Sequence, residues 1–183
     1  MLGDAQRRGL IESLSACTAF DEAERGHVER TIELLDSAGA PFSRSNLPGH
    51  ITASAIVWNP RRGALLLVLH PKFREWYQPG GHCEPALDDS VAAAALRELI
   101  EETALQADEV ESAREILFDV DVHPIPAWGP EPAHEHHDVR YLFQCTTETL
   151  PRTDHQSRWT PLREVRERCD ASLARVAGKL LDR

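Results

Sequence analysis

The chain is short of positive charge. Its 20 lysine and arginine residues are outnumbered by 30 aspartate and glutamate residues, giving a formal net charge of −10 at pH 7. An acidic surface argues against nonspecific binding to a nucleic acid polymer or an anionic membrane, because both are negatively charged. It does not exclude an anionic substrate, since bound divalent cations can reverse the local field. We therefore expect a small-molecule partner, with no nucleic acid polymer and no membrane.

Long apolar segments and closely spaced cysteine pairs are also missing. No apolar run approaches the roughly 20 residues that a membrane-spanning helix needs. The amino-terminal segment MLGDAQRRGLIESL lacks the apolar core of a signal peptide. None of the cysteines has C-x-x-C spacing, so we expect reduced thiols; they are Cys17, Cys83, Cys145 and Cys169. These observations predict a cytoplasmic protein.

What is present suits one globular domain. The chain has 183 residues, of which 42% are hydrophobic and 27% charged, so it can bury a substantial core. The segment DEAERGHVERTIELLDSAG begins with Asp21, a good N-cap residue, and ends near Gly39. Branched apolar runs begin at residue 50. We therefore predict an N-terminal helical extension packed on the core, residues 1–49, and a main domain, residues 50–183.

The order of elements in the main domain favours a mixed sheet covered by helices. Two apolar runs joined by the turn signal NPRRG predict a hairpin, and a long loop follows. A helix is predicted from Asp88 or Asp89 to about Thr103, and a C-terminal helix from Leu162 to Leu181, divided near Asp170. The predicted strands are HITASAIVW, ALLLVLH, ILFDVDVHPI and DVRYLFQCTT, and the predicted loop is PKFREWYQPGGHCEPALD. The fold class is therefore α+β.

The segment RELIEETAL places Glu98, Glu101 and Glu102 on one face of the predicted helix. Like charges at this spacing repel and cost stability. Clustered carboxylate oxygens on a rigid element are what Mg²⁺ or Mn²⁺ requires, whereas the alternative is a solvated acidic face. Arg97 lies four residues before Glu101 and can reach its carboxylate. The opposite, apolar face is predicted to be buried, while Val91 and Ala94 on the acid side should leave room; the apolar face comprises Ala92, Leu96, Leu99, Ile100 and Thr103.

Residues 80–105, GGHCEPALDDSVAAAALRELIEETAL, resemble the Nudix box, with Arg97 to Thr103 matching its second half directly. Three departures are present: a two-residue loop insertion after Gly81, Asp89 where the family has Glu, and Ala104 where it has Gly. Ala104 would be strained by roughly 1–2 kcal/mol if the helix ended in a left-handed conformation. The resemblance implies a Nudix-type α/β/α sandwich.

The resemblance also implies a function. Nudix enzymes typically cleave a pyrophosphate bond in a nucleoside diphosphate linked to another group, or a similar small diphosphate, by water attack at phosphorus. Carried over, Glu98, Glu101 and Glu102 would ligate Mg²⁺ or Mn²⁺, and the catalytic residues would be Arg97, Glu98 and Glu101. Arg97 would orient a glutamate, with Glu101 as the first candidate. The general base stays open among Glu98, Glu131, Asp138 and Asp154.

The candidate substrate-binding residues are Gly80, Gly81, His82, Trp76, Tyr77 and His136. The two glycines can bring backbone close to a ligand. Trp76 and Tyr77 are the best placed of several aromatics for base stacking, which contributes roughly 1–3 kcal/mol; the others are Trp58, Phe73 and Trp128. In EPAHEHHDVRYLF, the histidines at 134, 136 and 137 allow a polar loop entering a strand, phosphate contacts, or ligands for a softer metal such as Mn²⁺ or Zn²⁺. His50 and Thr52 are interpreted as structural.

Two other functions are compatible with this fold. An isopentenyl-diphosphate-isomerase-like enzyme would use a His/Glu metal site with a Cys and a Glu, and Cys83 beside His82 keeps that interpretation open. The intact Arg-Glu-x-x-Glu-Glu core favours hydrolysis instead. A noncatalytic nucleotide-sensing module would be favoured by loss of the box carboxylates, and none is lost. The diphosphate substrate, the number of metal ions and the oligomeric state, with a homodimer as one option, stay open.

Overall fold

The computed structural model describes residues 2–37, 39–72, 74–147, 150, 153 and 155–182, with the backbone alone for 111–115. The α-helices in this part of the chain are α1 (Asp4–Ser15), α2 (Glu22–Asp36), α3 (Val91–Thr103), α4 (Leu162–Arg168) and α5 (Ala171–Leu181). The strands are β1 (Gly49–Asn59), β2 (Ala64–Leu69), β3 (Trp76–Tyr77), β4 (Gly80–His82), β5 (Val110–Ile125), β6 (His134–Cys145) and β7 (Ser157–Pro161).

The strands form one seven-stranded sheet. Its path runs β3-β2-β1-β6-β5, while β4 pairs with β1 and β7 pairs with β2. Strand β2 is antiparallel to β1, with Trp58 opposite Leu65, and antiparallel to β7, with Leu66 opposite Trp159. Helices accompany this sheet as the element order predicted. The predicted α+β class with a mixed sheet and flanking helices is confirmed.

The chain divides into two compact units. The first comprises Met1–Ala53, Gly81–Ala94 and Leu117–Arg140, and contains α1 and α2. The second comprises Ser54–Gly80, Ala95–Ile116 and Tyr141–Arg183, and contains α4 and α5. Several elements, including β1 and α3, contribute residues to both. The predicted boundary between residues 49 and 50 stays a prediction.

Two helix starts follow directly from capping chemistry. A carboxylate oxygen of Asp21 accepts the backbone N–H of Glu24 at 2.8 Å, so Asp21 is the N-cap of α2 as predicted. Asp170 likewise accepts from the backbone N–H of Leu173 at 2.9 Å and starts α5. The predicted division of the C-terminal helix near Asp170 is therefore confirmed.

Several element boundaries differ from the sequence prediction. The loop after β2 contains the short strands β3 and β4, and β7 was not predicted. These strands have two, three and five residues, too few to show an alternating pattern. Strand β6 begins at His134, so the histidine segment is strand and not a polar loop. Helix α3 begins at Val91, because Ser90 Oγ accepts the Ala93 N–H at 3.0 Å.

The apolar part of α3 is wider than predicted. Leu99 and Thr103 are fully buried as expected, but Val91 and Ala94 on the acid side are buried too. The acid side therefore opens only in the last turns of the helix, where the glutamates lie. Leu96 and Ile100, predicted to be buried, are half-buried. Among the described residues, no helix is both long and apolar enough to cross a membrane.

Candidate functional site

The three glutamates lie on the last turns of α3 and differ in burial. The side chain of Glu98 is 17% exposed, whereas that of Glu101 is 58% exposed. Glu102 is half-buried. The carboxylate of Glu98 is therefore largely buried and that of Glu101 is open to solvent. A ligand approaching from solvent would reach Glu101 first.

Arg97 holds two of these carboxylates from the same helix. Its Nη1 lies 2.8 Å from Glu98 Oε1 and 3.4 Å from Glu101 Oε2. The residue predicted to orient Glu101 is thus closer to Glu98. One guanidinium cannot neutralise three ionised carboxylates, and such a group of carboxylates favours a cation.

Glu102 is fixed by the loop before the helix. The backbone N–H of Gly80 donates to Glu102 Oε2 at 3.1 Å. Burial, together with the negative charges of Glu98 and Glu101, raises the pKa of Glu102 to about 7, although the Gly80 hydrogen bond acts in the opposite direction. A bound cation would lower this pKa again, because it favours the ionised carboxylate. The three-carboxylate oxygen donor set fits Mg²⁺ or Mn²⁺.

The predicted stacking residues Trp76 and Tyr77 form β3 and already have protein partners. The Arg158 guanidinium carbon lies 4.2 Å from the centroid of the Trp76 ring, a cation–π contact that covers one face. Tyr77 donates its hydroxyl to Glu75 at 2.8 Å. Burial and this hydrogen bond raise the pKa of Tyr77 to about 12. Phe73, another predicted stacking candidate, lies outside the described residues.

His82 and His136 converge with a histidine that sequence reasoning interpreted as structural. The ring centroid of His50 lies 5.1 Å from that of His82 and 4.9 Å from that of His136. The His82 and His136 centroids are 5.0 Å apart. One ring nitrogen of each of the three histidines falls within 4.8 Å of the others. We name His50, His82, His134 and His136 the histidine cluster.

Burial lowers the pKa of three histidines in the cluster, His50, His82 and His136, and so favours their neutral forms near pH 7. It is the main cause that lowers the pKa of His82 to about 4, with nearby histidines adding to the effect. Burial also lowers the pKa of His136 and His50. Neutral imidazoles carry a lone pair on one ring nitrogen, which can accept a hydrogen bond or bind a metal. His137 lies apart, with Nδ1 3.1 Å from Thr31 Oγ1.

Comparison with known proteins identifies the family. The model of the NUDIX domain matches residues 48–180, which is more than half of the chain. The chain belongs to the Nudix family. The predicted family is confirmed, and membership supports the predicted enzyme class, a Nudix pyrophosphohydrolase. No match was found among curated proteins.

Solved structures share the Nudix fold at low sequence identity. An Ap4A hydrolase from C. elegans, in a binary complex, matches with 18% identity and a TM-score of 0.55, over 72% of this chain and 95% of that one. A dihydroneopterin triphosphate pyrophosphohydrolase from E. coli matches with 10% identity and a TM-score of 0.57, over 73% and 96%. A NUDIX family hydrolase from Clostridium perfringens matches with 21% identity and a TM-score of 0.50, over 72% and 95%.

The departures from the Nudix box have local structural explanations. Ala104 ends α3 with φ at 55°, the left-handed conformation in which glycine is favoured. In the loop of the insertion, the buried Asp88 accepts the backbone N–H of Glu84 at 2.7 Å, whereas Asp89 is exposed. The carboxylate that holds this loop is therefore Asp88, one residue before the position that the resemblance to the Nudix box selected.

The candidate general bases outside the Nudix box are differently placed. Asp138 is buried and accepts hydrogen bonds from Arg140 Nε at 2.8 Å and from Thr52 Oγ1 at 3.2 Å. These bonds tie its carboxylate to the protein interior. Glu131 lies 3.8 Å from Arg44 in an exposed ion pair. Asp154 lies outside the described residues.

Sequence reasoning missed the buried network around Arg140. Its guanidinium contacts Asp119 at 3.2 Å, Asp121 at 3.5 Å and Asp138 at 2.8 Å. The alternating Asp119 and Asp121 in FDVDV were the available signal, because polar residues within a predicted buried strand need charged partners. This network stabilises the first unit and shares no residue with the glutamates of α3.

Proposed function

We propose that this Nudix protein is a divalent-metal-dependent hydrolase that cleaves a pyrophosphate bond in a nucleoside diphosphate linked to another group, or in a similar small diphosphate. Water attacks phosphorus in this proposal. The observation that carries it is the grouping of Glu98, Glu101 and Glu102 at the end of α3, with Arg97 against two of them. A purely structural helix face would gain nothing from three carboxylates at repelling distance.

The glutamates are proposed as the metal ligands. Nudix hydrolases generally use divalent metals, and an all-oxygen donor set selects Mg²⁺ or Mn²⁺. When bound, such ions neutralise phosphoryl oxygens and lower the pKa of the attacking water. Glu101 is the most exposed of the three, so its carboxylate is accessible to an ion that enters from solvent. Glu98 is less exposed than Glu101 and stays among the candidates for the general base.

Arg97 and Gly80 position the ligands. Arg97 restrains the rotamers of Glu98 and Glu101 through one nitrogen, so less entropy is lost when both carboxylates engage a cation. The Gly80 N–H fixes one oxygen of Glu102 and leaves the other oxygen to a ligand. Arg97 is therefore proposed as a positioning residue, which refines its predicted catalytic role.

The family and the names of two matched structures support the proposed substrate class. Their names, an Ap4A hydrolase and a dihydroneopterin triphosphate pyrophosphohydrolase, support a small phosphorylated molecule as partner. Trp76, Tyr77 and Gly80 remain the proposed substrate contacts in the unit that holds the glutamates. Gly81, His82 and His136 belong to the other unit and remain predicted substrate contacts.

The extent, location and partners of the protein are also proposed. We propose residues 1–49 as a helical extension of the Nudix domain, a cytoplasmic location, and no binding to nucleic acid polymers. Oligomeric state, with a homodimer as one option, is left to measurement. The isomerase-like alternative would need an accessible thiol, and Cys83 is buried, so the structure offers it no added support.

A substrate panel tests the proposal. Nucleoside diphosphate derivatives are incubated with Mg²⁺, Mn²⁺ or excess chelator, and the products are resolved by mass. We expect release of a phosphate-containing product only with metal, and at least a tenfold loss of rate in Glu101→Gln. Glu167→Gln, an exposed glutamate on α4, is the matched control and should keep full activity.

The outcomes separate the alternatives. Nucleotide binding without turnover of any panel member would favour the noncatalytic sensing module. Metal-dependent isomerisation of a diphosphate without phosphate release would favour the isomerase-like enzyme. Equal activity of wild type and Glu101→Gln would remove the α3 carboxylates from the mechanism.

A further inference from the structure

The side chains of the histidine cluster come from three strands and lie next to one another. His50 is at the start of β1, His82 ends β4, and His136 is in β6. His50 and His134 are buried, and His82 and His136 are half-buried. Residues so far apart in sequence do not converge through local structure, so the clustering is a property of the folded first unit.

A hydrogen bond to the backbone determines which ring nitrogen of His50 can bind a ligand. Its Nδ1 faces the backbone carbonyl of Asn46 at 3.4 Å, so Nδ1 carries the proton and Nε2 the lone pair. The Nε2 atom is buried and has no hydrogen-bond partner in the described part of the chain. Buried polar atoms normally have a partner, so this lone pair indicates a missing ligand.

Two hydrogen bonds made by His134 determine which ring nitrogen of His136 carries the proton. His134 Nδ1 lies 2.9 Å from the carbonyl oxygen of Pro132 and donates to it, which leaves His134 Nε2 as an acceptor. That atom lies 3.2 Å from His136 Nε2, which must then carry the proton and donate. His136 Nδ1 keeps the free lone pair. Histidines that bind metals are typically oriented by such bonds from the other ring nitrogen.

From this geometry we infer a transition-metal site, of the Zn²⁺ class, in which His50, His82 and His136 are the ligands and His134 is an outer hydrogen-bond partner. Imidazole nitrogens select zinc and its neighbours over Mg²⁺, which prefers oxygen. The site is distinct from the glutamates of α3 in residues, donor type and metal preference. It does not rest on the proposed hydrolase activity.

The spacing of the nitrogens suits this ion. Nitrogens bound to a tetrahedral Zn²⁺ at about 2.0–2.1 Å lie about 3.3 Å apart. One ring nitrogen of each histidine lies within 4.8 Å of the others, so the three nitrogens have to approach by up to about 1.5 Å to reach that spacing. Three protein ligands leave one coordination position open.

Equilibrium dialysis of the full chain against Zn²⁺ tests the inference, after removal of metals with a chelator. Bound zinc is measured by elemental analysis, and Co²⁺ is used as a second ion whose visible spectrum reports tetrahedral nitrogen ligation. We expect one equivalent of Zn²⁺ per chain and a tetrahedral Co²⁺ spectrum. The double variant His82→Gln/His136→Gln should bind at least 100-fold more weakly.

Two controls define the site. His155→Gln removes an exposed histidine outside the cluster and should bind like wild type. Glu101→Gln/Glu102→Gln should also keep the zinc, since those residues belong to the other site. If wild type binds no zinc, or if only the glutamate variant loses it, the inference is wrong. Should the histidine double variant fail to fold, X-ray absorption on zinc-loaded wild type decides: fewer than two imidazole ligands would overturn the site.

Discussion

Arg97 Nη1 lies 2.8 Å from Glu98 Oε1, and both side chains are mostly buried. A charge-assisted hydrogen bond in this environment is stronger than an exposed one and restrains both partners. The same nitrogen lies 3.4 Å from Glu101 Oε2, so Arg97 couples the enclosed and the exposed carboxylate of the α3 face. This contact connects the fold of the helix to the proposed chemistry.

Replacing Arg97 with lysine should lower turnover while the fold persists. Lysine keeps the charge but loses the planar guanidinium that can contact two carboxylates at once. We expect kcat to fall about tenfold or more, which corresponds to about 1.4 kcal/mol of lost transition-state stabilisation. Steady-state kinetics on a substrate from the panel measures this, with Arg166→Lys on the exposed side of α4 as control. Unchanged kcat in Arg97→Lys would mean that the guanidinium does not position the catalytic carboxylates.

Replacing Glu102 with glutamine should weaken metal binding without lowering the stability of the metal-free protein. Glutamine keeps an oxygen for the Gly80 N–H and removes a charge that repels Glu98 and Glu101. Without metal, the variant should be at least as stable as wild type, because unfavourable repulsion is lost. Calorimetric titration with Mn²⁺ should show at least tenfold weaker binding. Wild-type Mn²⁺ affinity in Glu102→Gln would argue against Glu102 as a ligand.

Replacing Ala104 with glycine should stabilise the protein. Ala104 has φ at 55°, where an alanine is strained by about 1–2 kcal/mol, and glycine would relieve this strain. Part of the gain in stability is lost, because glycine makes the unfolded chain more flexible. The expected net gain is about 0.5–1 kcal/mol, measured from denaturant midpoints. Ala93→Gly, inside α3, is the matched control and should lose about 1 kcal/mol. A loss of stability in Ala104→Gly would mean that the left-handed residue is not strained.

The Asp121 carboxylate should make the free energy of unfolding decrease at acidic pH. Burial alone would raise its pKa, but the hydrogen bond from His123 and the positive charges of Arg140, His123 and His27 hold the pKa of Asp121 well below its usual range. An acid with a depressed folded pKa contributes stability above its unfolded pKa of about 3.9, and that contribution is lost as pH falls towards the folded value. Wild type should therefore lose stability below about pH 4.

Thermal unfolding of wild type and Asp121→Asn between pH 7 and pH 2.5 measures this contribution. The variant should be less stable at pH 7, because Arg140 loses a buried partner. The difference should shrink below about pH 4 by up to about 1.4 kcal/mol per pH unit. Asp36→Asn removes an exposed carboxylate and serves as control. A difference that stays constant down to pH 2.5 would assign the acid sensitivity to other groups.

Local chemistry made part of this fold predictable. Asp21 and Asp170 start their helices through bonds to backbone only three residues away, and this pattern is visible in the sequence. The period of α3 likewise placed its three glutamates together. The predicted strain at Ala104 depended on how the helix ends, and the left-handed φ shows that it does end that way.

Nonlocal contacts account for what the sequence did not reveal. Strands β3, β4 and β7 are too short to show a period, and their pairing is supplied by β1 and β2. His50 looked structural because a single histidine at a strand start carries no signal of its own. Its role as the centre of the histidine cluster depends on β1, β4 and β6 meeting in the fold. The buried Arg140 network also joins two strands, β5 and β6, and only the aspartates in FDVDV gave a signal of it in the sequence.

Water is proposed to attack phosphorus at a metal site formed by Glu98, Glu101 and Glu102. Turnover of a panel substrate in ¹⁸O-labelled water with Mg²⁺ or Mn²⁺, followed by mass analysis of both products, tests this claim most directly. We expect the label in a phosphate product and no turnover when chelator removes the metal. Label only in the alcohol or sugar product, or undiminished turnover in the presence of chelator, would contradict it.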